Sequence, residues 1–154
     1  MSTEFIKIIA TNRKARHHLY IESEYEAGIV LVGSEVKSIR SGLVSFQDAY
    51  ADIKNGEVFL RQLHISPYTY AYNANHETLR TRKLLLHAHE IKKMVSKIKE
   101  KGYTLVPLKI YFKNSKIKVL IGLGRGKKLY DKREDIKKKD MKRDLDRERK
   151  KNSN

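Results

Sequence analysis

Glycine and lysine dominate the stretch Gly122-Leu-Gly-Arg-Gly-Lys-Lys128, a composition that could cradle a phosphate group. A P-loop requires four residues between its first glycine and its Gly-Lys pair, followed by a serine or threonine that binds magnesium. Here the gap is shorter, and Lys128 occupies the position of the hydroxyl. The dinucleotide-binding fingerprint fails as well, because no helix-period run follows a matching glycine spacing. We therefore interpret the stretch as the flexible end of a strand and not as a nucleotide site.

Side chains that could perform catalysis or bind a metal are scattered along the chain. His87 and His89 could share a face in an extended segment, but the spacing indicates no third ligand, and the chain has no cysteine. Glu22, Glu24 and Glu26 alternate as strand neighbours do, which is typical of a solvated face that balances nearby cations. No Ser-His-Asp or Lys-Glu arrangement stands out. The sequence thus predicts no metal site and no cofactor, and although an enzyme is possible, nothing in these residues asks for one.

Positive charge extends over the whole chain. The 154 residues include 34 Lys and Arg against 18 Asp and Glu, a formal net charge of +16. Residues 125–154 hold 14 basic and 7 acidic residues, so the remainder of the chain is basic too. Such a balance attracts polyanions by electrostatic steering and counterion release. Nucleic acid is therefore the first expected partner, and an anionic membrane surface is the second.

Three basic spots each lie next to a predicted strand: Asn12-Arg-Lys14, Arg80-Thr-Arg-Lys83 and Lys127-Lys128. Aromatic rings accompany them, and a ring that stacks on a base contributes roughly 1–3 kcal/mol. We expect one set to alternate into the core, namely Tyr50, Phe59, Tyr111 and Phe112. The better stacking candidates lie in polar surroundings: Tyr68, Tyr70, Tyr72 and Tyr130.

The apolar pattern predicts a mainly β fold with few helices. Short runs rich in β-branched and aromatic residues predict strands at 19–21, 27–32, 49–53, 57–65, 103–112 and 117–123. Lys54-Asn-Gly56 is a hairpin signal. A short capped helix is expected between Ser34 and Gly42, and an amphipathic helix over residues 89–101 ends before Gly102. This inventory indicates a small antiparallel barrel or sandwich.

The C-terminal residues differ in composition from the rest. We divide the chain into a β domain at residues 1–130 and a basic tail at residues 131–154. The tail contains the favourable i, i+4 pairs Glu134→Lys138 and Asp135→Lys139, yet Ile136, Met141 and Leu145 share no single stripe. We predict a tail that is disordered alone and becomes helical on an anionic partner. A merely solubilising tail is the alternative.

The sequence gives no indication of a membrane-spanning, secreted or disulfide-bonded protein. No apolar run approaches the roughly 20 residues of a transmembrane helix. The first residues lack the basic region and the long apolar run of a signal peptide. Without cysteine there is no disulfide framework. We expect a cytoplasmic protein.

Several stretches together resemble the SsrA-binding protein (small protein B, SmpB) family. They occur in family order between residues 12 and 133: Asn12-Arg-Lys-Ala-Arg-His17, Glu26-Ala-Gly-Ile29, Gly33-Ser-Glu-Val-Lys-Ser-Ile-Arg40, Asp48-Ala-Tyr50, Arg82-Lys-Leu-Leu-Leu-His87, Gly102-Tyr-Thr-Leu-Val-Pro-Leu108 and Gly126-Lys-Lys-Leu-Tyr-Asp-Lys-Arg133. The resemblance implies an oligonucleotide-binding-type β-barrel with peripheral helices. It also implies a non-enzymatic adaptor that binds the tRNA-like domain of transfer-messenger RNA and delivers this RNA to stalled ribosomes.

The resemblance further implies partners and contacts. The tail would enter the decoding centre and the empty messenger channel of the small ribosomal subunit, and elongation factor Tu would be a further partner. No membrane and no small-molecule substrate is implied. Matching the motifs places RNA contacts at Asn12, His17 and Glu26, with Lys127 and Lys128 on phosphates. The basic spots add further RNA-binding candidates: Lys14, Arg80, Arg82 and Lys83. The ribosome-contacting residues would be Tyr130, Asp131, Lys132, Arg133, Ile136 and Met141.

Departures from the family pattern occur at His18 and Leu19, where an acidic and then an aromatic residue are usual, and at Glu148-Arg149, where many tails carry an apolar pair. Two alternatives remain open at this point. One is a barrel protein that binds ribosomal RNA only. The other is an RNA-processing nuclease that uses His87 or His89.

Overall fold

A computed structural model of the chain describes residues 5–71, 75–100, 102–127, 141–143 and 145. Through residue 127, the described residues form nine strands and three helices. The strands are β1 (Ile6–Thr11), β2 (Leu19–Ile29), β3 (Val44–Ser45), β4 (Tyr50–Lys54), β5 (Glu57–Arg61), β6 (His64–Ile65), β7 (Arg82–Leu85), β8 (Tyr103–Lys113) and β9 (Lys116–Gly126). The helices are α1 (Arg13–His18), α2 (Gly33–Arg40) and α3 (Ala88–Ile98). The prediction of a mainly β, antiparallel fold with few helices is confirmed.

Strand pairing in the main sheet is closed by one additional pair. The order is β1-β8-β4-β5-β7-β2-β9, and β9 also pairs with β8. Six strands from β8 to β9 therefore form a closed circuit of antiparallel neighbours, and β1 also pairs with β8, along residues 109–113. The two short strands β3 and β6 form a separate pair. Closure of this kind leaves few unpaired strand edges.

Turn residues explain two of the hairpins. Asn55 and Gly56 both have positive φ values, 53° and 73°, as required of a two-residue turn whose twist matches the flanking strands. Asn114 and Ser115 do the same between β8 and β9, with φ values of 49° and 73°. The predicted Asn-Gly hairpin is confirmed, as is the amphipathic helix α3, which precedes Gly102 at a φ of 90°.

Several elements differ from the sequence prediction, which placed no strand at β3 or β7. β2 is one continuous strand of 11 residues, because the glutamates between its apolar ends occupy its exposed positions. The basic lead-in after Asn12 is the helix α1, and β1 precedes it. β5 ends at Arg61 because Gln62 has a φ of 59°, which leaves the strand conformation.

The hydrophobic core is formed by strands of the main sheet together with α2 and α3. Alternate residues of β5, β8 and β9 are fully buried, among them Val58, Leu60, Leu105, Val119 and Ile121. Ile39 from α2 and Met94 from α3 are fully buried with them. Tyr111 is buried as expected. The predictions for Tyr50 and Phe59 are wrong, because Tyr50 is 40% exposed on β4 and Phe59 lies on the opposite face of β5 from the buried Val58 and Leu60.

The glycines of β9 have a packing role. A Cβ atom added to Gly122 would lie 2.8 Å from the side chain of Leu108, and one added to Gly124 would clash with the carbonyl oxygen of Tyr20. Both glycines lie inside a paired strand, which leaves no loop to wrap a phosphate. The rejection of a P-loop is therefore confirmed, although the segment is a strand and not a strand exit. No helix among the described residues is long and apolar enough to cross a membrane.

Candidate nucleic-acid interface

The exposed face of β2 carries two clusters of polar residues. Tyr20, Glu22, Glu24 and Glu26 all point outward, alternating with half-buried residues. Tyr20 and Glu26 are six residues apart, which corresponds to roughly 20 Å along a strand. We name the cluster around Glu26 the carboxylate site and the cluster around Tyr20 and α1 the helix site.

Glu26 is the centre of the carboxylate site. Its Oε2 accepts a 2.6 Å hydrogen bond from the hydroxyl of Tyr111, and its Oε1 lies 3.2 Å from the ammonium group of Lys113. The Tyr111 hydrogen bond, the ammonium of Lys113 and the nearby charge of Lys118 together outweigh partial burial and lower the pKa of Glu26. The carboxylate is therefore ionised at neutral pH and oriented. It remains 35% exposed and keeps acceptor capacity for a base amino group.

A groove of about 420 Å³ lies beside the carboxylate site. Gly28, Leu85 and Lys118 form one row across three neighbouring strands. A Cβ atom added to Gly28 would lie 3.3 Å from the Cβ atom of Leu85, so the two strands leave little room for a side chain there. Leu85 is 53% exposed on this floor. Arg40 of α2 lies over the ring of Phe112, 6.0 Å from its centroid, at the other wall. An apolar floor between cations suits a ribose or base flanked by phosphates.

The sequence prediction did not include three residues that line this groove: Arg40, Leu85 and Lys118. They come from α2, β7 and β9, so only strand pairing brings them together. One local signal existed for Leu85, because the pattern of β7 places it on the opposite face from the buried Leu84. Lys83 lies on the same outward face as Leu85 and forms a 3.0 Å ion pair with Glu57.

The helix site contains three of the predicted RNA contacts. Lys14 and His17 are exposed on α1. Asn12 has a structural role, because its backbone N–H donates to the carbonyl of Leu108 at 2.8 Å and its side-chain amide donates to the carbonyl of Pro107 at 2.9 Å. Asn12 therefore fastens the start of α1 to β8 and fixes where Lys14 and His17 lie.

Lys127 connects the end of β9 to this helix site. Its backbone N–H donates to the carbonyl of His18 at 2.9 Å, and its ammonium lies 4.9 Å from the ring centroid of Tyr20. Arg125 lies over the same ring at 5.8 Å. Two cations and an exposed ring thus stand where the chain leaves the sheet, a combination that binds nucleic-acid backbones. Lys128 lies outside the described residues.

Arg82 requires a correction. The expectation that it contacts RNA is wrong, because the side chain is fully buried. It donates to the carboxylate of Glu35 and, at 2.7 Å, to the carbonyl of Leu63. Arg80 also donates to Glu35, at 2.6 Å, and keeps 34% of its side chain exposed. Two of the three cations in this basic spot therefore hold α2 and the following strands together.

Comparisons with known proteins show which family the chain belongs to. The family model described as SmpB protein matches residues 9–151. The chain belongs to the SmpB protein family.

Similar members of the family are proteins called SsrA-binding protein. One from Acetivibrio thermocellus is 57% identical over 152 residues, covering 99% of both chains. Those of Bacillus velezensis and Bacillus subtilis are 58% and 57% identical over 92% of this chain and 90% of theirs. A chain in the solved structure described as "tmRNA-SmpB: a journey to the center of the bacterial ribosome" is 48% identical, with a TM-score of 0.68 over 82% of this chain and 93% of that one.

Most of the tail predicted to contact the ribosome lies outside the described residues, including Tyr130, Asp131, Lys132, Arg133 and Ile136. Met141 is described: it has a helical backbone and is 63% exposed. Leu145 is likewise helical and 58% exposed. Both side chains of this SmpB-family tail therefore present apolar surface to solvent.

No catalytic arrangement accompanies these clusters in the described part of this SmpB-family chain. The rings of His87 and His89 stack 5.5 Å apart, and no group of three potential ligands among the described residues could hold a metal ion. Glu22 bonds to Tyr103 and Lys97, which lower its pKa, and Glu24 forms an ion pair with Arg16. These contacts match the predicted solvent-exposed row of glutamates with nearby cations.

Proposed function

We propose that this chain is the transfer-messenger RNA-binding adaptor of trans-translation. It binds the tRNA-like domain of that RNA and brings it to stalled ribosomes, where its tail occupies the decoding centre and the empty messenger channel. The observation that carries the proposal is the oriented carboxylate of Glu26 between lysines and an exposed apolar groove, in a chain 57% identical to SsrA-binding proteins. Lysines bind phosphates, and a fixed carboxylate selects a base edge.

The finer architecture belongs to the same proposal. The closed circuit of six strands supports an oligonucleotide-binding-type barrel, with α1, α2 and α3 on its outside. The proposed RNA-binding residues are Asn12, Lys14, His17, Glu26, Arg80, Lys83, Lys127 and Lys128, together with Arg40, Leu85 and Lys118. Elongation factor Tu and the small ribosomal subunit are proposed partners, the site of action is the cytoplasm, and the protein performs no catalysis of its own.

A pair of charge reversals tests the proposal. Glu26→Arg removes the carboxylate that accepts the hydrogen bond from Tyr111. Glu100→Arg, just after α3, is the control, because it changes the net charge by the same amount. We expect Glu26→Arg to weaken binding of the tRNA-like domain by at least about 5-fold, since one base contact contributes roughly 1–3 kcal/mol. Glu100→Arg should bind at least as tightly as wild type. Equal affinity for both variants would remove Glu26 from the interface.

A further inference from the structure

The loop that follows β6 presents a pair of tyrosines above α2. The rings of Tyr68 and Tyr70 make an edge-on contact with centroids 5.6 Å apart. Tyr70 is 73% exposed, the highest value among the described large apolar side chains. The ammonium of Lys37 lies 5.4 Å from the Tyr68 ring centroid. Tyr68 is therefore supported by a cation and a neighbouring ring, while Tyr70 offers its faces to solvent.

Short-range hydrogen bonds fix the conformation of this pair. The backbone N–H of Tyr68 donates to the side-chain oxygen of Asn75 at 3.0 Å, and the side-chain amide of Asn75 donates to the carbonyl of Tyr68 at 2.9 Å. Ala71 donates its N–H to the same carbonyl at 3.1 Å. An exposed ring on an ordered backbone loses less conformational entropy on binding than one on a mobile loop.

Both ends of the loop are also fastened to α2. The hydroxyl of Ser38 donates to the carbonyl of Ser66 at 2.7 Å. The ring of His76 bridges the hydroxyl of Ser34 at 2.9 Å and the carbonyl of Ile65 at 2.8 Å. α2 in turn is held by the buried contact between Glu35 and Arg82. The tyrosine pair is thus connected through α2 to a partly buried polar network.

The same helix connects the pair with the groove beside Glu26. Lys37 and Arg40 are one turn apart on α2, so they lie on neighbouring positions of one helix face. Arg40 lines the groove with Phe112, and Lys37 lies over Tyr68. A strand of RNA that occupies the groove would therefore meet two cations before it reaches Tyr70. Two neighbouring cations followed by an exposed ring match the chemistry of single-stranded nucleic acid.

We propose that Tyr68 and Tyr70 form a stacking platform for an unpaired base of the RNA bound at the Glu26 groove, with Lys37 on an adjacent phosphate. This inference rests on the proposed function and extends its interface across α2. The commitment to RNA follows from continuity with the groove and from the positive charge of Lys37 and Arg40. Tyr70 supplies stacking energy and little base selectivity, because every base has an aromatic face.

Three variants in the full-length protein test the platform by equilibrium binding to the tRNA-like domain across a range of salt concentrations. Tyr70→Ala should weaken binding by about 5- to 100-fold without changing the salt dependence, because stacking releases no counterions. Tyr70→Phe should stay within about twofold of wild type, because the ring is retained. Lys37→Gln should reduce the slope of log affinity against log salt by about one.

Tyr50→Ala is the matched control, since Tyr50 is an exposed tyrosine on a different element, β4. It should bind like wild type, and ultraviolet cross-linking of RNA containing 5-bromouridine should label Tyr70 but not Tyr50. Wild-type affinity of Tyr70→Ala would overturn the platform, as would a loss that the control reproduces. Normal RNA binding with lost peptide tagging would also overturn it and indicate a protein contact. If wild type instead binds size-matched RNA equally well while Tyr70→Ala weakens both complexes, the platform stands and the proposed function fails.

Discussion

The hydroxyl of Tyr111 on β8 donates a hydrogen bond to the carboxylate of Glu26 on β2, with β9 between the two strands. The oxygen atoms are 2.6 Å apart. The contact lowers the pKa of Glu26. The pKa of Tyr111 is raised, first by burial and then by this hydrogen bond. A half-exposed carboxylate is thereby held in one orientation by a buried phenol.

Removing the Tyr111 hydroxyl should allow the Glu26 carboxylate to change its orientation while it keeps its charge. We expect Tyr111→Phe to raise the pKa of Glu26, because the largest lowering contribution is lost. Affinity for the tRNA-like domain should fall by roughly 10-fold, since a hydrogen bond to a charged group contributes about 1.5–3 kcal/mol and Lys113 compensates in part. Titration of Glu26 by NMR and equilibrium RNA binding check the two effects. An unchanged pKa of Glu26 in Tyr111→Phe would contradict the description of the site.

The buried contact between Glu35 and Arg82 should dominate the stability of α2. Arg82→Met leaves Glu35 buried with Arg80 as its remaining cationic partner, and breaking a buried pair typically costs about 3–5 kcal/mol. Lys83→Met is the control, because its ion pair with Glu57 is exposed and such pairs contribute about 0–1 kcal/mol. Urea denaturation measures both free energies of unfolding. Similar losses in the two variants would show that Arg82 has no special role.

Glu35 also predicts how stability depends on pH. Burial alone would raise its pKa, but hydrogen bonds from Arg80, the Val32 amide and Arg82 outweigh burial and lower it below the ordinary 4.5. A carboxylate with a lowered folded-state pKa stabilises the protein above its unfolded-state pKa, and the contribution is lost as pH falls through the folded-state value. We expect the free energy of unfolding to decline below about pH 4.5, and to decline less steeply in Glu35→Gln. Parallel pH profiles in the two proteins would refute this assignment.

The β9 glycines should differ in their tolerance of a methyl group. A Cβ at Gly124 would clash with the backbone oxygen of Tyr20, and this backbone cannot move without breaking β2–β9 pairing. Gly126 has no atom within 4 Å of the same position. Gly124→Ala should therefore cost more than about 2 kcal/mol and Gly126→Ala less than about 1 kcal/mol. Thermal unfolding ranks the two variants, and equal midpoints would contradict the close approach of β2.

Local signals in the sequence predicted the elements that depend on neighbouring residues. The Asn55-Gly56 turn and α3 are confirmed because left-handed turn geometry and a 3.6-residue apolar period are set within a few positions. The solvent-exposed face of β2 could also be predicted, because exposed and less exposed residues alternate along the strand.

Other features depend on positions far apart in the sequence and could not be read locally. Tyr111 and Glu26 are 85 residues apart, and the Gly28–Leu85–Lys118 row needs the register of three strands. Arg82 was taken for a surface cation because its burial depends on Glu35, 47 residues earlier. The family resemblance supplied Glu26 and His17, whereas Arg40 became visible only through its contact with Phe112.

The central claim is that the folded domain recognises the tRNA-like domain of transfer-messenger RNA and that the tail acts on the ribosome. The most direct measurement is binding of the full-length protein and of a variant lacking residues 135–154 to this RNA and to a size-matched structured RNA, across salt concentrations. We predict a preference for the tRNA-like domain in both proteins, a shallower salt slope for the truncated one, and peptide tagging only with the full-length chain. Equal affinity for the two RNAs, or loss of the preference on truncation, would contradict the claim.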